Sequence, residues 1–124
     1  MTKAEYEQFA KEIQIGGFYT NGLRPVGMEL FSTVVCSKGP HPLGGNSFWV
    51  TRFGGHWYLG TWGVRHYQVP DDRSVVEICL AWLRRQPEGT SADFDEALKA
   101  EFHLVEFSYG EFLGLCSAAG FDAE

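Results

Sequence analysis

Residues 47–69 read SFWVTRFGGHWYLGTWGVRHYQV, two runs rich in aromatic and β-branched residues on either side of a bare Gly54-Gly55 pair. This pattern predicts a two-residue β-hairpin, because a tight turn that matches strand twist needs positive φ at its centre, which glycine reaches without strain. With the glycines as the turn, the register follows. Phe53 faces His56, Arg52 faces Trp57, Thr51 faces Tyr58, Val50 faces Leu59, and Trp49 faces Gly60. Side chains alternate along a strand, so one face carries Phe48, Val50, Arg52, Trp57, Leu59 and Thr61. The other carries Trp49, Thr51, Phe53, His56, Tyr58 and Trp62. A hairpin that is aromatic on both faces is either covered on both sides or uses one face to bind something, and the sequence leaves both readings open.

Upstream of the hairpin, Ser37–Asn46 (SKGPHPLGGN) is a loop dense in glycine and proline, long for a link between adjacent strands. Before it, Met28–Cys36 (MELFSTVVC) reads as a strand, and Asn21-Gly22 either closes a small hairpin or redirects the chain. The chain opens with a helix over about Lys3–Gln14. Thr2 and Glu5 have capping-box spacing, Tyr6, Phe9, Ala10 and Ile13 recur at helical intervals, and Gly16-Gly17 stops the run. Its apolar stripe packs on the domain or serves as a partner-docking arm.

Downstream, Trp62-Gly63 turns the chain so that Arg65–Val69 forms a further strand, with a single bent strand over 57–69 as the alternative. A helix follows over about Asp72–Gln86, capped by Asp71 or by Ser74 with Glu77. Its wide stripe of Val75, Val76, Cys79, Leu80, Trp82 and Leu83 is expected to dock on the Phe48/Val50/Trp57/Leu59 face. Thr90–Phe102 is a second helical segment, and 103–107 is either an added strand or its continuation. Ser108 and Glu111 cap a last helix through Phe112 and Cys116, with Gly120 as its stop. Strands joined by short turns make an antiparallel meander. The expected fold is therefore α+β: about four strands over about 28–69, packed against an N-terminal helix and two or three C-terminal helices that cover one face. No repeat, low-complexity tract or linker divides the 124 residues, so one domain is expected.

Composition bounds the class. Hydrophobic content of 44% with 21% charged residues is that of a globular protein, and no run approaches the ~18 apolar residues of a membrane span. The charged, amphipathic N-terminus lacks the apolar core of a signal peptide, so a cytoplasmic location is expected. Cys36, Cys79 and Cys116 are odd in number and widely spaced, which fits buried thiols in a reducing compartment and not a disulfide framework. The net charge of −6 is uneven. Residues 15–70 carry four cations and one acid (+3), and residues 71–124 four cations and twelve acids (−8). Four scattered cations in an acidic protein make a poor phosphate footprint, so no nucleic-acid partner is expected.

No pattern of nucleophile, base and orienting residue marks a catalytic site, and no ligand spacing marks a metal; no cofactor is expected. The residues best suited to binding are Trp49, Arg52, His56, Tyr58, Trp62 and Arg65, with His41 in the Gly/Pro loop. The expected function is a non-catalytic binding or protein-interaction module that takes a protein or small ligand, with no membrane partner and self-association left open. The alternative is a small-molecule-binding protein or enzyme with a pocket near Cys36, His41, His56, Tyr58 and His66.

Overall fold

The computed structural model describes residues 1–26, 31–39, 47–60, 66–85 and 92–118. Helix α1 (Lys3–Ile15) leads into strands β1 (Tyr19–Thr20), β2 (Arg24–Val26), β3 (Phe31–Ser37), β4 (Ser47–Phe53), β5 (His56–Gly60) and β6 (His66–Gln68). Helices α2 (Val75–Arg85) and α3 (Ala92–Phe102), strand β7 (Val105–Phe107) and helix α4 (Tyr109–Ala118) complete the chain. The class is α+β, and every strand pairing is antiparallel.

The hairpin has the register read from its sequence, from Phe53 opposite His56 to Trp49 opposite Gly60. Gly54 and Gly55 both take positive φ (58° and 81°), the two-residue turn whose twist matches the strands. β6 runs back along β5, with Gly60 opposite His66. The chain therefore reverses between 60 and 66, and the single bent strand is excluded.

The strand count is larger than expected. Seven strands fill six positions across the sheet, in the order β1-β3-β4-β5-β6-β7, with β2 also on β3. The additions, β1, β2 and β7, are two or three residues long, too short to display an alternation. Asn21-Gly22 redirects the chain and closes no hairpin. The Asn21 amide donates to the Val35 carbonyl and its side-chain oxygen accepts from the Val35 amide. Past it the register on β3 slips by one residue, so β1 and β2 are the two halves of a bulged edge strand.

Helix ends follow local chemistry. Thr2 and Glu5 form a reciprocal capping box at α1, and Ser108 and Glu111 form another at α4. At the end of α1, Gly17 donates to the Gln14 carbonyl and Phe18 to that of Ile13, a Schellman closure. Ser74, and not Asp71, caps α2, accepting from the Glu77 amide.

The helices do not gather on one face. Phe9 and Ile13 of α1, Ile78, Cys79, Trp82 and Leu83 of α2, and Leu98 and Phe102 of α3 bury one side of the sheet. There they meet Val34, Cys36, Phe48, Val50, Leu59 and Tyr67. Trp82 lies parallel to Phe48 at 4.6 Å, which places α2 on the face its stripe predicted. An Arg85–Glu101 ion pair joins α2 to α3. α4 crosses to the other side, where Phe112 and Cys116 pack on Phe53 and Tyr58. The sheet is thus covered on both sides. No helix among the described residues is long and apolar enough to cross a membrane.

Candidate functional site

Both faces of the hairpin are aromatic, and the helices leave them in different states. On the α4 face, Tyr58 keeps 3% of its surface exposed; it lies parallel to Phe53 at 4.3 Å, with Phe112 edge-on at 5.7 Å. Burial, and then the nearby Cys116 thiol, push the Tyr58 phenol above its ordinary pKa; burial likewise raises Cys116. Trp49 is half-buried. Its indole lies over Gly60, where a Cβ would meet the ring, and is tilted against His66 (5.1 Å) and Phe112 (5.4 Å). Of the two readings left open by the sequence, this face is the covered one.

The turn end differs. The Arg52 guanidinium sits 5.3 Å from the Trp57 ring centre, a cross-strand cation–π contact, and its Nε lies 2.7 Å from a Glu5 carboxylate oxygen of α1. The Met1 amine also donates to the Arg52 carbonyl at 2.8 Å, so the beginning of α1 holds this residue by backbone and side chain. On the other face His56 Nδ1 lies 3.0 Å from an Asp71 carboxylate oxygen in the segment before α2. Arg52 and His56 both remain about one-third exposed. The Glu5 carboxyl is opposed by burial, but hydrogen bonds with Thr2 and the Arg52 charge outweigh this and hold its pKa below the ordinary value.

Between α1 and the start of α2 the surface opens into a groove of about 520 Å³. Trp57, half-buried and stacked on Phe9 at 5.7 Å, lines it together with Val75 and Val76. Glu5 and Glu12 line it from α1, and Arg73 from the segment before α2. Sequence reading placed Trp57 on the core face and missed the groove. The groove exists only because two segments some 60 positions apart in the chain stop short of covering one indole, and no local pattern reports that.

Trp49 and His56 stand at opposite ends of the hairpin, separated by the length of β5. His41 belongs to the chain between β3 and β4, and Trp62 and Arg65 to that between β5 and β6; all three lie outside the described residues, as does most of the Ser37–Asn46 loop. The Cys/His pocket is not assembled from its described members. Cys36 is fully buried on the α2 side with Cys79, whose thiol pKa burial and then the Cys36 thiol push well up. Tyr58 and His66 pack under Phe112 on the α4 side, so the sheet stands between thiol and imidazole. Compared with known proteins, the chain matches no family model, no curated protein and no solved structure.

Proposed function

We propose that the chain is a non-catalytic, cytoplasmic binding module that takes its protein or small-ligand partner at the turn end of the hairpin. The observation that carries this reading is the half-buried Trp57, with Arg52 on its ring and an open groove beside it. A large aromatic beside an arginine is the usual anchor of a binding surface, because it desolvates much apolar area with few rotatable bonds to freeze. Arg52 and His56 are the direct contacts in this reading. Trp49 and Tyr58 support the hairpin against α4 and set the position of that surface. The burial of Cys36 favours binding over nucleophilic chemistry, since a thiolate needs access and an electropositive setting.

The test is a titration of ¹⁵N-labelled protein with a mixed library of peptides and small polar ligands. Binding partners should shift the amides of Arg52, His56, Trp57 and Arg73, and Trp57→Ala should abolish the effect while the circular dichroism spectrum stays native. If Trp57→Ala unfolds, Arg52→Gln takes its place. Shifts confined to Ser37–Asn46 or to 61–65 would move the site to the other end of the hairpin. Alkylation of Cys36 in the native protein as fast as a free model thiol would overturn the non-catalytic reading.

A further inference from the structure

The groove beside Trp57 has a polarity that narrows what it takes. Its apolar surface is the indole of Trp57 with Phe9 and Val76. Along α1, Glu5 is already held by Arg52, whereas Glu12, two turns further, is exposed and has no ion pair among the described residues. On the other wall Arg73 is exposed and equally without an ion pair among the described residues. The two opposite charges line one cleft without closing on each other.

We propose that this groove binds a zwitterion with an apolar body, a short peptide whose free ammonium meets Glu12, whose carboxylate meets Arg73, and whose side chain lies on Trp57. The inference rests on the binding-module reading and names its ligand class. Charge complementarity carries it. An anionic ligand would meet Glu5 and Glu12, a cationic one would meet Arg73, and an uncharged apolar one would leave both rims unused. A carboxylate on a guanidinium makes two parallel charge-assisted hydrogen bonds, so Arg73 supplies direction as well as attraction. A volume of about 520 Å³ leaves room for a molecule larger than a single amino acid.

The dipeptide Ala-Leu is titrated into the full chain, beside its N-acetylated form, its C-terminal amide and free leucine, with the indole N–H and the Val75 and Val76 amides as reporters. The free dipeptide should bind, each single block should weaken it by about tenfold, and free leucine should bind less well. Glu12→Gln should weaken the free dipeptide but not the N-acetyl form, and Arg73→Gln the free dipeptide but not the amide. Both substituted residues are exposed, so the fold is expected to survive. Equal affinity for the free peptide and either of its singly blocked forms, or no response up to the solubility limit, overturns the ligand class. Tighter binding by leucine than by the dipeptide overturns the peptide assignment. If other ligands still shift Trp57, Arg52 and His56 in that case, the binding-module reading stands and only the zwitterion fails.

Discussion

Gly60 shows how one missing side chain sets a packing geometry. It faces Trp49 across β4 and β5, and a Cβ there would collide with the indole ring, so the ring covers the backbone where any other residue would push it aside. We predict that Gly60→Ala destabilises the protein by about 1–3 kcal/mol in urea unfolding, the usual magnitude of overpacking in an ordered core. In a double-mutant cycle with Trp49→Ala the two losses should fail to add, because removing the indole removes the clash. Additive losses would mean that the backbone of β5, and not the ring, resists the methyl. The glycines at 54 and 55 work differently, through the positive φ that the turn demands, with nothing packed against Gly55.

At the scale of elements, α1 and α4 are begun by reciprocal caps, and the helices are held to the sheet by their apolar faces. Glu5 and Glu111 both have carboxyl pKa values below the ordinary 4.5. At Glu111 the cause is hydrogen bonding with Ser108, backbone first and side chain second. At Glu5 burial acts the other way but loses to Thr2 and Arg52. A carboxyl whose folded pKa is depressed binds fewer protons in the folded state, so its stabilisation is present above 4.5 and is lost as pH falls through the folded value. We therefore expect stability to fall on acidification below about pH 4.5. Glu5→Gln should flatten part of that slope, at a cost in neutral-pH stability kept small by exposure to solvent. An unchanged acid slope in Glu5→Gln would show the box to be without effect. The other elements close by similar local means. His103, in the left-handed region with φ 55°, ends α3 while Leu104 donates to the Lys99 carbonyl, a site where glycine is commonest and histidine is tolerated.

For the whole molecule, the two sides of the sheet are unequal. Seventeen buried residues form the cluster under α1, α2 and α3, against four under α4, among the described residues. Leu83→Ala, in the larger cluster and fully buried, should cost about 2–5 kcal/mol. Phe112→Ala should cost about 3–5 kcal/mol at most, and native-state hydrogen exchange should then show α4 and β7 opening at lower free energy than β4 and β5. Uniform acceleration across the sheet in Phe112→Ala would instead make the α4 layer part of the global unfolding unit. The charge distribution belongs to this scale too. Among the described helices of residues 71–124 the acidic surplus falls chiefly on α3, with four acids against Lys99, whereas α2 carries Arg84 and Arg85 against Glu77.

Local chemistry alone determined much of this protein. Hairpin register, turn, capping boxes, the stop of α1, the stripe of α2 and the α+β class all depend on residues within about ten positions of one another, and sequence spacing reports such interactions directly. The Arg52–Trp57 pair was legible for the same reason, since a two-residue turn leaves no freedom of register. Only the tertiary structure decided where α4 goes. Its Phe112, Leu113, Leu115 and Cys116 read as an apolar helix that either face of an aromatic sheet could receive, and choosing the Tyr58 side closed the surface with the strongest aromatic pattern in the sequence. The short strands β1 and β2 were also beyond reach, and for 103–107 strand and helix stayed open until β7 paired with β6, because two or three residues join a sheet through backbone hydrogen bonds that no side-chain alternation announces. The groove at Trp57 is the same kind of fact. It is set by where α1 and α2 stop short of each other, a distance fixed by packing across the core, and the charges left facing it became neighbours only on folding.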